Sequence, residues 1–224
     1  MEFINKNNAR FFAYIIIDIT ALFVVNFYYL GLSQIFSYAL LILLTAFLIF
    51  LTKNFIAGFF HIKVSGTFWL TGLIFSVIAT LVASSFGVPI PIPVISYNNY
   101  SRMNTIKGIK KGAVKIHEKW HITFLSSSVL LFAAFIFITL WHVLNQNGFL
   151  MSGIALAMFV LIDFLPDKRF NGANLIYHNY VIYSITFLFL LVIGVLSIIN
   201  YVASLILFIV FILFIFVTYI LKLW

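Results

Sequence analysis

The stretch that decides the fold is Asp163-Phe164-Leu165-Pro166-Asp167-Lys168-Arg169-Phe170-Asn171-Gly172. Here a long apolar run stops at a proline, gathers charged side chains, and ends in a polar residue followed by glycine. Proline lacks the backbone N–H that a helix interior needs, so a helix is expected to end here. The stretch therefore predicts a bend with Asn171 as the polar centre of a candidate site.

The composition around this stretch is typical of a membrane protein. The chain is 64% hydrophobic and only 8% charged, whereas soluble domains carry about 25% charged residues. It has no cysteine, which excludes disulfide and thiolate chemistry. We expect an all-α polytopic membrane protein in which residues 1–224 form a single membrane domain.

Apolar runs of near-spanning length predict about six transmembrane helices. The runs cover residues 11–32, 35–52, 122–144, 149–165, 174–198 and 203–221. Residues 67–86 are also apolar, but prolines follow them at positions 89, 91 and 93. Alternate prolines favour extended backbone, so we predict short strands within 67–97, with residues 94–97 as an edge strand.

The basic residues predict the topology, because cytoplasmic loops are enriched in Lys and Arg. If residues 67–97 enter the membrane and return on the same side, all 13 basic residues and both termini lie in the cytoplasm. If residues 67–86 crossed, the basic stretch 98–121 would lie outside. We therefore predict a re-entrant hairpin at 67–97 and a basic cytoplasmic loop at 98–121 in the plasma membrane. A cavity beside the hairpin follows, since non-helical backbone at that depth needs protein or water around it.

The net charge of +8 fits this orientation and an attraction to anionic lipid head groups. No aromatic-basic binding module accompanies the charge. We therefore expect the lipid bilayer as a partner, and no nucleic acid.

The hairpin, the cavity and a later helix ending in Pro-x-x-x-x-Asn-Gly together resemble the site-2 protease family, in particular its small archaeal branch. The resemblance covers roughly residues 45–185. It rests on residues 51–57, 68–73, 93–97, 164–166 and 170–172. The resemblance implies the fold of an intramembrane zinc metalloprotease. In that family two His of an HExxH motif and a later Asp bind zinc, and the Glu activates water.

The residues that carry catalysis in that family do not carry over to this chain. The positions matched to HExxH hold Ile49, Phe50 and Lys53, and the family's Asp is replaced by Asn171. A catalytic zinc needs about three protein ligands. The resemblance therefore implies a degenerate member that binds no zinc and acts as a non-enzymatic subunit or scaffold, with membrane-protein partners docked on its helices. We further expect Lys53 to pair with Asp163, which stands where the family's second motif opens with Asn.

An intact HExxH string stands elsewhere, at His117-Glu118-Lys119-Trp120-His121. On a helix the two His share a face, and Glu118 is placed to polarise a zinc-bound water. With Asp163 or Asp167 as third ligand, the string predicts a metal-dependent intramembrane protease. The other interpretation is an interfacial anchor, with Glu118 in the first helical turn and the tryptophan at head-group depth.

Asp18 interrupts the first predicted helix about two turns from its start. A carboxylate inside a membrane is costly and normally faces the protein interior with a partner. Two interpretations stay open: a proton- or ion-linked function that uses Asp18 and Asp163, and a structural hydrogen bond.

Overall fold

The computed structural model describes residues 6–26, 35–66, 69–87, 90–97, 99–102, 114–166, 170–172, 176–177 and 179–220. Within these ranges the chain is mostly helical, which confirms the all-α expectation. The helices are α1 (Lys6–Val25), α2 (Ile35–Phe59), α3 (Leu70–Ser85), α4 (Ile116–Leu144), α5 (Asn147–Asp163), α6 (Tyr180–Ile199) and α7 (Tyr201–Ile220). A two-stranded sheet joins β1 (Ile62–Ser65) and β2 (Asn99–Arg102).

Two of the described helices are long and apolar enough to cross a membrane by length and composition, Tyr38–Phe59 within α2 and Ile116–Leu144. Four shorter apolar helices accompany them: Leu70–Ser85, Asn147–Asp163, Tyr180–Leu196 and Val202–Phe214. These helices are compatible with membrane association. The count of about six spans stays a prediction.

The chain around α3 folds as a hairpin. β1 and β2 pair antiparallel, with Ser65 opposite Asn99. The chain therefore leaves the sheet at Ser65 and comes back to the same place at Asn99. On the way back, Ile92 lies beside α3: its carbonyl accepts a hydrogen bond from Ser76 Oγ (2.7 Å), and its N–H donates to Thr80 Oγ1 (3.0 Å). The chain thus returns beside the point where it left the sheet, and the predicted entry of this hairpin into a membrane stays a prediction.

The strands were expected within 67–97, and that prediction is wrong, because both strands flank the hairpin. Residues 94–97 belong to neither a helix nor a strand. Side chains take the place of a partner strand, since the Val94 carbonyl accepts from the Tyr14 hydroxyl of α1 (3.3 Å). Pro91 and Pro93 also lack the N–H that strand pairing needs.

The predicted loop at 98–121 is wrong at both ends. Residues 99–102 form β2, and α4 begins at Ile116 rather than at residue 122. The helix starts earlier because its N-terminus is capped: a Glu118 carboxylate oxygen accepts a hydrogen bond from the Lys115 N–H (2.8 Å). Such a bond satisfies one of the free donors of the first turn.

α5 is the central helix of the fold and contacts α2, α4 and α6. Most of its residues are buried. A tight turn joins it to α4 through Asn145, whose φ of 51° is left-handed, a common way to end a helix. Because α5 runs through the core, its last residue, Asp163, is delivered into the interior beside α2.

Candidate functional site

The centre of the candidate site is a buried ion pair. Lys53 of α2 and Asp163 at the end of α5 are both 0% exposed. The ammonium Nζ of Lys53 binds the carboxylate oxygen Oδ2 of Asp163. The structure therefore confirms the pairing that we predicted for these two residues. It also explains why α2 continues to Phe59 instead of ending at residue 52, since Lys53 is neutralised inside the protein.

Asn171 is the second hydrogen-bond partner of the Asp163 carboxylate. Its Nδ2 donates to Asp163 Oδ1 (2.8 Å) and to the backbone carbonyl of Tyr97 (3.1 Å). Its Oδ1 accepts from the Tyr100 hydroxyl (2.7 Å), which shares a further hydrogen bond with Thr123 Oγ1 (3.2 Å). Both oxygens of Asp163 are thus engaged, one by a cation and one by an amide.

The bend that brings Asn171 back to Asp163 depends on glycine. A Cβ added to Gly172 would collide with the carbonyl oxygens of Phe164 and Leu165. The side chain of Tyr183 on α6 holds the same bend, because its hydroxyl donates to the Phe164 carbonyl (2.7 Å). Residues 164–165 and 171–172 therefore lie against each other beside the Asp163 carboxylate.

The buried charges of Lys53 and Asp163 are neutralised by each other and by neighbouring groups. Lys53 Nζ also lies 5.9 Å from the centre of the Phe159 ring, a favourable position for a cation. Burial, and next the charge of Asp163, raise the pKa of the Tyr100 phenol. The phenol therefore stays protonated and donates its hydrogen bond at neutral pH. Chemically, the cluster ties α2, α4, α5 and β2 together.

The other two positions matched to HExxH contribute packing. Ile49 lies one turn before Lys53 on the same face of α2 and is fully buried in the main core. Phe50 is half-buried and contacts Phe12 of α1, with ring centres 5.1 Å apart. Neither side chain carries a metal-ligating atom.

The HExxH string at residues 117–121 occupies the start of α4. The rings of His117 and His121 lie 6.3 Å apart, and His121 stacks on Phe60 at 6.2 Å. Both carboxylate oxygens of Glu118 accept from Arg102 Nη2 at 2.9 Å. Glu118 is thus held by a cation and by the cap of its own helix.

Among the residues that the structure describes, no three His, Cys, Asp or Glu side chains are grouped to hold a metal ion. Asp163, predicted as the third ligand of that string, is paired with Lys53. Asp167, the other predicted third ligand, lies outside the described residues. The geometry therefore separates the HExxH string from the buried carboxylate.

Asp18 forms a second buried polar position, on α1. Its side chain is 0% exposed, and neither carboxylate oxygen has a hydrogen-bond partner within the described structure. The Ser76 hydroxyl and the Val94 backbone face the carboxyl and interact with it, although neither meets the distance and angle of a full hydrogen bond. Both belong to the hairpin, so Asp18 lies between α1 and the hairpin.

The sequence reasoning missed several polar partners. Ser76 and Thr80 bind the returning chain, and their signal was available as small polar residues four positions apart in an apolar helix. Tyr100 and Thr123 gave no such signal, because the sheet brings Tyr100 to Asn171 and the start of α4 brings Thr123 to Tyr100.

Comparisons of this chain with protein-family models, with curated proteins and with solved structures find no match. Its function is therefore inferred from the geometry of its own residues.

Proposed function

We propose that this protein is a catalytically degenerate, site-2 protease-like integral membrane protein that serves as a non-enzymatic subunit or scaffold of a membrane complex. One observation carries the proposal: Asp163 binds Lys53 and Asn171 at the same time. These are three of the positions that the resemblance assigns to the metal-binding region of the family.

Lys53 is distant from the other two positions in the sequence but adjacent to Asp163 in space. Lys53 lies 110 residues from Asp163, and Asn171 lies 8 residues from it. A chance likeness of apolar sequences gives no reason for these three to meet. Where the family places a zinc ion between His and Asp ligands, this chain places a lysine ammonium against a carboxylate. The positive charge is then supplied by a side chain, and the pocket no longer needs a metal.

A scaffold role also fits the outer surface of the helices. Large apolar side chains are exposed on α6 and α7, among them Leu188 (62%), Val202 (62%) and Ile206 (58%). Such faces suit lipid or the helices of membrane-protein partners. The plasma-membrane location and the cytoplasmic termini are part of the same proposal, supported by the distribution of basic residues and by the hairpin that returns to its starting point.

The proposal is tested by rebuilding the family's motif. The variant carries Ile49→His, Phe50→Glu, Lys53→His, Asp163→Asn and Asn171→Asp. If these positions form a former metal site, the purified variant gains about one zinc per chain, held by three ligands, as measured by elemental analysis. The matched control carries the other four substitutions but keeps Ile49. It therefore lacks one ligand and should retain less zinc than the full variant. A folded variant that gains no zinc contradicts the resemblance.

The wild-type protein supplies the second arm of this test. Because its buried carboxylate is already engaged, we expect no bound zinc and a fixed membrane-protein partner that co-purifies in mild detergent. One zinc per wild-type chain, lost in His121→Ala, would instead establish a metal site at the HExxH string and overturn the non-enzymatic proposal in favour of the metal-dependent protease that uses His117, Glu118 and His121. The bond between Glu118 and Arg102 does not favour that outcome.

A second candidate, a proton- or ion-linked function, is favoured by the buried and unpartnered carboxyl of Asp18. Ionisable groups of this kind often mark ion pathways in membrane proteins. The test is ion flux through proteoliposomes that contain the purified chain, with Asp18→Asn as the variant. Flux that disappears in the variant supports this candidate, and the absence of any wild-type flux removes it.

A further inference from the structure

Buried polar side chains of α1 hold the hairpin in place. The Tyr14 hydroxyl donates to the carbonyls of Trp69 and Val94, on the outgoing and the returning side of the hairpin, at 3.3 Å each. At the end of α1, Asn26 Oδ1 accepts a hydrogen bond from the Ser84 hydroxyl of α3 (2.8 Å). Tyr14 is 1% and Asn26 0% exposed. These two contacts are the ends of a buried polar seam between α1 and the hairpin.

Asp18 lies between these two contacts, and its carboxyl makes no full hydrogen bond within the described structure. The groups that face it have little to donate. The hydroxyl of Ser76 has a single proton, and that proton is already donated to the Ile92 carbonyl (2.7 Å). The Tyr14 proton is directed at the hairpin carbonyls. A negative charge on Asp18 therefore finds few donors while the hairpin lies against α1.

Within the described structure, no basic side chain offsets such a charge. The elements packed on α1 are α2, α3 and β1. The charged residue of α2 is Lys53, which is already paired, and α3 carries no charged residue. On β1, Lys63 alternates with buried side chains and so points to the other face of the strand. On α1 itself Arg10 is exposed, and the Tyr14 phenol is the titratable group that faces Asp18.

We propose that Asp18 is a proton-binding site and that the bound proton keeps the hairpin on α1. Burial of a charge without a partner costs far more than burial of a neutral polar group. The Asp18 side chain is 0% exposed with the hairpin against it, so water reaches the carboxyl only when the hairpin moves. The neutral acid fits the docked hairpin. Ionisation passes the proton to entering water and favours release of the hairpin.

A proton fits this site better than a metal cation. Ca²⁺ takes about six to eight oxygen ligands, and Mg²⁺ requires a nearly octahedral set. The groups that face the Asp18 carboxyl are the Ser76 hydroxyl and the Val94 backbone, too few for such a shell. A proton needs one carboxyl oxygen. The inference rests on the membrane placement in the proposed function and names the ion of its second candidate.

Infrared difference spectroscopy tests the proton directly. The full chain is reconstituted in phosphatidylcholine vesicles, and spectra are recorded over a pH series. The matched variant is Asp18→Asn, which keeps the size of the side chain and has no carboxyl proton. We expect the C=O band of a protonated carboxyl in the wild type, lost as the pH rises, and no such band in the variant. A wild-type band that is absent or does not titrate overturns the proposal, whether or not the variant folds.

Spin-label distances test the movement of the hairpin, and the absence of cysteine from the chain allows site-specific labels. The exposed pair Val24→Cys and Phe86→Cys joins α1 to the end of α3, and the pair Val24→Cys and Leu40→Cys joins α1 to α2. We expect a second, longer distance in the first pair over the pH range in which the band is lost. The second pair, and the first pair combined with Asp18→Asn, should not change. A first pair that stays constant while the band is lost overturns the link to the hairpin.

Sodium distinguishes a proton from a cation as the occupant. At fixed pH and ionic strength, replacement of choline by sodium should change neither the band nor the distances. Loss of the band on addition of sodium overturns the proton assignment in favour of a cation. The proposal requires no transport, so absence of ion flux removes the second candidate function without deciding the proton site. The zinc measurements do not involve Asp18, and their failure is recognised separately.

Discussion

Asp163 and Asp18 are both carboxylates at positions of 0% exposure on apolar helices, yet their surroundings differ completely. Asp163 has a cation on one oxygen and an amide on the other. Asp18 has no hydrogen-bond partner on either oxygen within the described structure. Burial of a charge is tolerated when it is paired and hydrogen-bonded, and is costly when it is not.

The carboxylate of Asp163 is compensated and joins several elements. The carboxyl of Asp18 makes no full hydrogen bond within the described structure, and a buried polar group of this kind is expected to lower stability. The same substitution at the two positions should therefore act in opposite directions.

The largest effect is expected for Asp163→Leu. The substitution leaves the ammonium of Lys53 buried without a counter-charge, and removal of one partner of a buried ion pair costs about 3–5 kcal/mol. The free energy of unfolding, measured by denaturant titration in detergent micelles, should fall by that amount. The control is the double variant Lys53→Met/Asp163→Leu, which removes both charges and should recover most of the loss. A double variant as unstable as the single one would contradict the assignment.

The next largest effect is expected for Asn171→Leu. This change removes the donor to Asp163 Oδ1 and the acceptor of the Tyr100 hydroxyl, while the ion pair with Lys53 remains. A lost hydrogen bond to a charged group costs about 1.5–3 kcal/mol. The matched control is Asn171→Asp, which keeps the size but sets a second carboxylate beside Asp163, so it should be at least as destabilising. An unchanged unfolding midpoint in both variants would show that Asn171 does not support the carboxylate.

How much of this could be predicted depended on the kind of interaction, not on its range. The pairing of Lys53 with Asp163 followed from the resemblance, which places both residues where the family binds zinc, and from the rule that carboxylates inside a membrane need partners. Asn171 also binds Tyr100, 71 residues away, and no pattern in the sequence indicated that contact. The position of Tyr100 depends on the register of β1 against β2, which local sequence does not encode.

The sequence of β1 contains a strand signal that our prediction did not use. Residues 62–65 alternate buried and half-buried positions, as the apolar-polar order Ile62, Lys63, Val64, Ser65 indicates for a strand. The prolines at positions 89, 91 and 93 led us to predict strands inside the hairpin instead. There, side chains of α1 and α3 satisfy the backbone, a tertiary effect that overrides the local preference for extended pairing.

Asp18→Leu should raise stability, the reverse of the same substitution at position 163. The change removes a buried polar group without hydrogen-bond partners, whose cost is about 1–3 kcal/mol. The unfolding midpoint should therefore increase, and Asp18→Asn should show a smaller change in either direction. A loss of more than about 2 kcal/mol in Asp18→Leu would mean that the carboxyl is compensated in the folded protein, and the contrast with Asp163 would fail.

The smallest effect is expected for Tyr100→Phe, at the outer end of the cluster. The variant keeps the ring and loses the hydroxyl that binds Asn171 and Thr123, at a cost of about 1 kcal/mol at neutral pH. The cost should also depend on pH. Burial raises the pKa of the phenol above its ordinary value of 10.0 in the folded protein, so the folded state binds the proton more tightly than the unfolded state. This contribution to stability is complete below pH 10 and is lost as the pH rises toward the folded pKa. The difference in unfolding midpoint between wild type and Tyr100→Phe should therefore shrink above pH 10. A difference that stays constant would mean that the hydroxyl is open to water and lies outside the buried cluster.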